Sequence, residues 1–184
     1  MCKLCETKPV YEFTNKREVC KSCFIRYVQK KFLYTIRKFG LIEKREVIGY
    51  EDNNDFRSVV LESLLEMFSE KGTVEIVKMP SKKKVNKIAL ALTTDTEANK
   101  IIDIFINGNT NDLKKRVSIK EKKDIKPLYL FLDKEILLYA KLKNLKFKKR
   151  IEKENKIAEF ISEVEKKHPE VRHAIINSYL EIRK

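Results

Sequence analysis

Glycine is scarce in this chain of 184 residues, which has only Gly40, Gly49, Gly72 and Gly108. Loops that hold phosphate against the backbone need glycine, because a side chain at that position keeps the anion away. The chain also lacks tryptophan, and its two histidines, His168 and His173, lie far along the chain from every cysteine. These absences argue against a glycine-rich nucleotide loop and against a histidine-based active site.

Long apolar runs are missing as well. No stretch approaches the roughly 20 apolar residues that span a bilayer, and the chain opens with cysteines and charged residues, unlike a signal peptide. We therefore predict a cytoplasmic protein without a membrane partner.

Positive charge predominates, with 41 Lys and Arg against 27 Asp and Glu and a formal net charge of +14. The basic residues concentrate in residues 1–50, 78–87, 113–126 and 141–153, whereas residues 51–76 are acidic. A basic surface binds a phosphate backbone by releasing its counterions, so nucleic acid is the predicted partner. The alternative interpretation is that these charges are simply solvated.

Candidate RNA-binding residues come from these basic stretches: Arg26, Lys30, Arg37, Lys38, Lys82, Lys83, Lys84, Lys126, Lys148, Lys149 and Arg150. Tyr27, Tyr34 and Phe131 lie near basic residues and are predicted to stack on unpaired bases. The alternative for these three aromatic residues is a place in the core.

All four cysteines lie within the first 23 residues, as the pairs Cys2/Cys5 and Cys20/Cys23 separated by 14 residues. In a reducing compartment, two CxxC pairs at this spacing favour a metal over disulfides. Four thiolates close a tetrahedral Zn²⁺ site without an open position for chemistry. A structural zinc staple is therefore predicted, with an iron–sulfur cluster as the alternative.

Strands and helices alternate in the predicted secondary structure, which favours an α/β fold with a parallel sheet. Helices are predicted at 22–39, 59–68, 95–106, 133–142, 150–167 and 173–182, with Asp133 and Asp95 at helix starts and Gly40 at a helix end. Strands are predicted at 45–50, 73–79 and 86–93, and residues 109–124 as a loop. The predicted division is 1–40 for a zinc ribbon and basic helix, 41–148 for the α/β domain, and 149–184 for a helical segment.

Several segments, in order along the chain, resemble the tRNA 2-thiolation branch of the PP-loop ATP pyrophosphatase superfamily. The cysteine pairs resemble its N-terminal zinc ribbon, and residues 87–98, KIALALTTDTEA, resemble its KIATGHNLDDEA segment. Residues 125–128, IKPL, and 134–140, KEILLYA, resemble its xKPLRxxxEKEVxLYA segment, and 168–180 resembles its KxPGxxxxxxxSxxxI ending. The resemblance implies a reduced Rossmann-like, PP-loop/HUP-type parallel sheet flanked by helices.

Departures from the family pattern fall in the catalytic motifs. Where the family has SGGxDS, residues 53–58 read NNDFRS, so both glycines are lost and Asp55 adds negative charge where pyrophosphate would lie. The GHN triplet is replaced by Ala91, Leu92 and Thr93, and Asp95 is followed by Thr96. No cysteine follows Cys23, although the family's thiolating enzymes use pocket cysteines for sulfur chemistry.

The resemblance without its catalytic motifs implies a pseudoenzyme that is truncated relative to the family. It would be the non-catalytic, tRNA-binding subunit of a cytoplasmic wobble-uridine 2-thiolation complex, paired with a catalytic PP-loop thiolase. The alternatives are a stand-alone zinc-containing RNA-binding protein and, less favoured by the lost motifs, an active enzyme with unusual site residues.

Overall fold

The computed structural model describes residues 1–70, 74–108, 117–149 and 155–182. Its N-terminal part is an antiparallel ribbon of β1 (Pro9–Glu12) and β2 (Glu18–Cys20), followed directly by α1 (Lys21–Phe39). Aromatic rings fill the angle between ribbon and helix, since Tyr11 packs on Phe13 and Phe24 with ring centroids 4.9 and 4.8 Å apart. The ribbon is thus packed against the helix it precedes.

Helix α1 is amphipathic, as its sequence period predicts. Phe24, Val28, Phe32 and Ile36 are buried at four-residue steps on one face. Gly40 ends the helix with φ of 55°, a left-handed conformation that glycine adopts without steric cost, and this predicted stop is confirmed. Glu135, which is 2% exposed, ties α1 to a later helix by accepting hydrogen bonds from Tyr27 Oη at 3.0 Å and Lys31 Nζ at 2.8 Å.

A five-stranded sheet forms the centre of the molecule, in the spatial order β4-β3-β5-β7-β6. Strands β3, β4, β5 and β7 are parallel, and β6 pairs antiparallel with β7 at one edge. The bounds are β3 Val47–Glu51, β4 Glu75–Met79, β5 Lys87–Ala89, β6 Lys120–Glu121 and β7 Asp124–Ile125. The predicted α/β class with a parallel sheet is confirmed.

Within the described residues, five further helices surround or extend the sheet. They are α2 (Phe56–Ser69), α3 (Thr94–Ile106), α4 (Asp133–Leu142), α5 (Lys156–Lys167) and α6 (Val171–Ile182). Among the described residues, no helix combines the length and apolar character needed to cross a bilayer. Residues 150–154 of the predicted helix at 150–167 lie outside the described residues.

Four local predictions are corrected. The cap of α3 is Thr93, because the Thr96 hydroxyl accepts the Thr93 N–H at 2.8 Å, and Asp95 lies inside the first turn. The cap of α4 is Leu132, and Asp133 is its first helical residue. The strand predicted at 86–93 is limited to β5, and part of the loop predicted at 109–124 forms the β6–β7 hairpin.

No helix covers the crossover from β4 to β5. Residues 80–86 connect these parallel strands without regular structure. The connection passes close to the backbone of β3 at Gly49. A Cβ at position 49 would lie 3.2 Å from the Met79 side chain and 3.3 Å from Val85 Cγ1. The connection between these two parallel strands is therefore short and free of helix.

The buried apolar side chains form one cluster. It includes Cys2 and Val19 of the ribbon, Ile48 of the sheet, and Ile176 and Tyr179 of α6. All three predicted segments thus contribute to a common core, while the predicted boundaries at 40 and 148 stay predictions.

Candidate functional site

The four cysteines lie together, as predicted. Their sulfur atoms are all within 4.8 Å of one another. Cys5 Sγ lies 3.6 Å from Cys2 Sγ, 3.2 Å from Cys20 Sγ and 3.7 Å from Cys23 Sγ. One ion bonded to four sulfurs at about 2.3 Å places those sulfurs about 3.8 Å apart, so the four side chains fit a single metal ion.

Local backbone structure brings the two cysteine pairs together. The first pair lies in a tight turn in which Cys2 N–H donates to Thr7 O at 3.0 Å and Glu6 N–H to Cys2 O at 2.9 Å. The second pair spans the start of α1, with Cys20 at the cap position opposite Pro9 of β1. The metal site therefore fixes where the basic helix begins.

The Cys20 thiol is prepared for metal binding. Several hydrogen bonds, the largest from the Ser22 hydroxyl at 3.3 Å, lower the pKa of Cys20 to about 5. A thiolate is the form that binds a metal, so these hydrogen bonds favour the ligand form of Cys20, whereas its neighbourhood raises the pKa of Cys23.

A second candidate site lies where the strand order reverses. β4 lies on one side of β3 and β5 on the other, so the carboxyl ends of β3 and β5 flank the switch point of the sheet. Parallel α/β sheets bind ligands in the crevice at this place. The segments that enter it are residues 52–55, which lead into α2, and residues 90–93, which lead into α3.

A carboxylate of the chain, that of Asp55, lies at the N-terminus of α2. Asp55, which is 6% exposed, caps the helix, and its carboxylate accepts the Ser58 N–H at 2.8 Å. This amide belongs to the first turn, where a helix would otherwise offer N–H groups and a positive dipole end to a bound phosphate. The Asp55 carboxylate thus already engages one amide at this end of the helix.

Buried charges continue from α2 into α4. Arg57, with its side chain 7% exposed, forms a two-pronged ion pair with Asp133, in which Nε donates to Oδ1 at 2.7 Å and Nη2 donates to Oδ2. The Thr93 hydroxyl donates to the same Oδ1 at 2.7 Å. Asp133 therefore joins the elements that follow both switch-point strands.

The same chain of contacts extends to the last two helices. Asp95 Oδ2 accepts the Asp133 N–H at 2.7 Å, and Asp95 Oδ1 lies 3.2 Å from Arg172 Nε. Arg172 also donates to Glu165 Oε2 at 2.8 Å. We call this set the switch-point network: Arg57, Thr93, Asp95, Asp133, Glu165 and Arg172.

Burial disfavours the charged form of one acid in the network, Asp95. Desolvation, reinforced by the negative charge of Asp133, raises the pKa of Asp95 to about 6, although the Asp133 N–H and Arg172 favour its charged form. Asp95 is the acid that the family-like segment keeps, and its carboxylate contacts Asp133 and Arg172.

A separate buried ion pair lies on the other side of α3. Lys126 Nζ donates to Glu97 Oε2 at 2.6 Å, and the two residues are 5% and 1% exposed. Burial lowers the pKa of Lys126 and raises that of Glu97. This burial contradicts the predicted contact of Lys126 with RNA phosphate, because its ammonium is held inside the fold.

The other described candidate RNA-binding residues are exposed. Arg26, Lys30, Arg37 and Lys38 lie on α1, and Lys82, Lys83 and Lys84 on the crossover, where Lys83 pairs with Glu75. Lys148 and Lys149 border a cavity of about 320 Å³ that Asn53 and Asp55 also line, and Lys148 N–H donates to Asn54 O at 2.6 Å. Arg150 lies outside the described residues.

Of the three aromatic residues predicted to stack on bases, one is exposed. Phe131 is 0% exposed, so its prediction is wrong, and it instead packs under Lys31, whose Nζ lies 4.7 Å from the ring centroid. Tyr27 is partly buried and bonded to Glu135, which leaves it in the α1–α4 contact. Tyr34 is 52% exposed.

No protein-family model matches the sequence, and no curated protein matches it. Among solved structures, the chain is similar to the U34-tRNA thiolase NcsA from Methanococcus maripaludis, solved with its [4Fe-4S] cluster. The TM-score is 0.79 at 17% sequence identity, over 98% of this chain and 86% of that chain. This likeness shows the fold, so the predicted resemblance to the fold of tRNA thiolases is confirmed; the predicted truncation is not shown.

Sequence reasoning missed the roles of Arg57, Asp133 and Arg172. Arg57 and Asp133 are 76 residues apart in the chain, and no sequence motif predicts that they form an ion pair. The weak signal available was Asp55-Phe56-Arg57 in place of the glycine-rich loop, which places an acid and a base at the start of a helix.

Proposed function

We propose that this chain is a non-catalytic, tRNA-binding subunit of a cytoplasmic complex that thiolates the wobble uridine of tRNA. The thiolase-like fold supports the placement in tRNA thiolation, because one solved structure with a similar fold is a U34-tRNA thiolase. The net charge of +14 and the exposed lysines and arginines on α1 and the crossover support a polyanionic partner.

The observation that carries the non-catalytic part is the switch-point network together with Asp55. A nucleotide triphosphate bound there needs helix amides and cations, and the chain's own carboxylates already engage Ser58 N–H, Arg57 and Arg172. Displacing them would leave buried charges without partners, which costs several kcal/mol, about 3–5 for a broken pair. The Ser58 amide and the two guanidinium groups at the crevice are thus already paired with carboxylates of the chain.

The sulfur chemistry would also need a second protein. The thiolase with this fold carries a [4Fe-4S] cluster, whereas all four cysteines of this chain lie in the N-terminal centre. A catalytic PP-loop thiolase subunit would supply the ATP site and the pocket thiolates. This chain would supply tRNA-binding surface within the hetero-oligomer.

The metal we propose for the cysteine centre is Zn²⁺. Sulfur separations of 3.2–3.7 Å fit a single tetrahedral ion. In a four-iron cluster each cysteine binds a different iron, which requires more widely spaced sulfurs. With four protein ligands the ion has no open position, so its role would be to stabilise the ribbon.

Affinity purification of the tagged chain from its host, with identification of bound protein and RNA, tests this proposal. We expect tRNA and a PP-loop protein that retains SGGxDS and pocket cysteines. Recovery of the chain alone, or with unrelated RNA, would contradict the subunit assignment.

A stand-alone zinc-containing RNA-binding protein is the second candidate. It is favoured by the fact that the cysteine centre and the exposed basic residues are complete within this chain. Normal wobble-uridine thiolation in a deletion strain, measured by mass spectrometry of tRNA nucleosides, would favour it over the subunit.

A further inference from the structure

The exposed face of α1 carries one aromatic residue among four basic ones. At 100° per residue, Arg26, Lys30, Tyr34, Arg37 and Lys38 fall within an arc of about 120°. All five are exposed, whereas the opposite face is buried. We call these five residues the α1 strip.

The Tyr34 ring is the exposed aromatic group of the α1 strip. It is 52% exposed, and Lys38 Nζ lies 5.5 Å from its ring centroid. Two other aromatic residues near basic groups, Tyr27 and Phe131, make contacts inside the protein. Tyr34 therefore presents a half-exposed ring that has the Lys38 ammonium over one face.

The fold extends the strip with basic residues that are distant in sequence. Lys120 Nζ, on the edge strand β6, donates to Gly40 O at 3.0 Å, just past the end of α1. Lys122 and Lys123 form the exposed turn of the same β6–β7 hairpin. Two of the four basic stretches thus meet at the C-terminal end of α1, which neither the spacing nor the composition predicts.

We infer that the α1 strip and the β6–β7 hairpin together form a docking surface for unpaired RNA, with Tyr34 stacking on a base. This inference rests on the proposed RNA-binding function and specifies its surface. Cations alone would suit any polyanion, but an exposed ring among them suits single strands, whose base faces are open for stacking. In a duplex those faces are covered by neighbouring bases.

The test compares two labelled RNAs by fluorescence anisotropy: a stem–loop with an unpaired seven-base loop, and a fully paired duplex with the same number of phosphates. Tyr34→Ala is expected to bind the stem–loop roughly 5- to 150-fold more weakly, the range for loss of one base–aromatic stack. Duplex affinity should stay within about twofold, because phosphate contacts remain. Tyr34→Trp keeps a ring and should bind the stem–loop at least as tightly as the wild type.

Phe160→Ala is the matched control. Phe160 is 59% exposed on α5 but lies between Glu159 and Glu163, so it should have no effect on either RNA. Lys120→Gln should make the dependence of log K on log salt shallower by about 0.7 for the stem–loop, the value for one phosphate contact to a single strand. Unchanged thermal melts establish that the exposed-site variants remain folded.

The binding measurements distinguish failure of the stacking inference from failure of RNA binding. If the wild type binds the stem–loop and Tyr34→Ala binds it equally well, the stacking inference is overturned while RNA binding stands. If the wild type binds neither RNA, both this inference and the tRNA-binding part of the proposed function fall. If Tyr34→Ala leaves RNA affinity unchanged but reduces capture of the thiolase subunit, the surface docks protein and the RNA assignment is wrong.

Discussion

The N-terminal cysteine centre and the switch-point crevice differ in how their polar groups are satisfied. At the centre, four sulfurs lie within 4.8 Å of one another and fit a single metal ion. In the crevice, carboxylates and guanidinium groups of the chain pair with one another. The first arrangement suits an added ion, whereas the charges of the second are balanced by the chain itself.

The largest expected effect comes from removing one sulfur ligand of the cysteine centre. Cys20→Ser should abolish stoichiometric metal binding and unfold the ribbon, because structural zinc contributes an apparent binding free energy of about 10–16 kcal/mol to small zinc domains. Metal content by mass spectrometry and limited proteolysis of the N-terminus measure both changes.

Ser22→Ala is the control for this prediction, since it removes only a hydroxyl 3.3 Å from Cys20 Sγ and leaves four sulfurs. A Cys20→Ser protein with full metal content and an unchanged melt would show that the four-cysteine site is wrongly assigned.

Breaking the switch-point network should lower stability less than loss of the metal site, but still by several kcal/mol. Asp133→Ala leaves the buried Arg57 guanidinium without its carboxylate and should lower the free energy of unfolding by about 3–5 kcal/mol. Denaturant unfolding measures the change, and Asp124→Ala, at an exposed position on the sheet, should stay within about 0.5 kcal/mol.

The double variant Arg57→Met/Asp133→Ala sharpens this result. It removes both charges, so it should be more stable than Asp133→Ala alone. Additive losses in the double variant would mean that the two residues do not form a pair in solution.

These two sites also differ in how far sequence alone could predict them. The cysteine centre was predictable because each CxxC pair is local and the ligand type is specific to metals. The α1 face followed from a strict helical period, and β5 and α3 lay within a family-like segment.

The switch-point network was not predictable in the same way. Arg57, Asp133 and Arg172 come from three helices, and their pairing depends on how those helices pack. Asp133 looked like a helix cap, but its carboxylate is drawn to Arg57 and Thr93, so the cap position falls to Leu132. The β6–β7 hairpin was missed because strands of two residues have no measurable alternation.

The network should also show in the pH dependence of stability. The pKa of Asp95 is about 6 in the folded chain against 3.8 for the ordinary group. Between these values the folded state holds a proton that the unfolded state has released, so this residue makes stability fall as pH rises from about 4 to about 6.

Asp95→Asn should remove that slope, a change on the order of 1–3 kcal/mol over the interval. Unfolding curves at pH 4, 5, 6 and 7 for both proteins measure it. Parallel pH profiles for wild type and variant would show that Asp95 does not titrate in this range.

The smallest expected effect concerns the cap of α2. Asp55→Ala removes the acceptor for Ser58 N–H and should cost about 1 kcal/mol, whereas Asp55→Ser keeps a capping oxygen and should cost less. Thermal melts of the two variants distinguish them. Equal stability of Asp55→Ala and the wild type would place the carboxylate outside the cap.

Calorimetric titration of the purified wild-type chain with Mg²⁺ and ATP tests most directly the claim that the chain's own carboxylates take up the phosphate-binding groups of the crevice. We predict no binding in the micromolar range, because the Ser58 amide, Arg57 and Arg172 already have carboxylate partners. Stoichiometric micromolar binding that Asp133→Asn alters would contradict this account and restore the crevice as a nucleotide site.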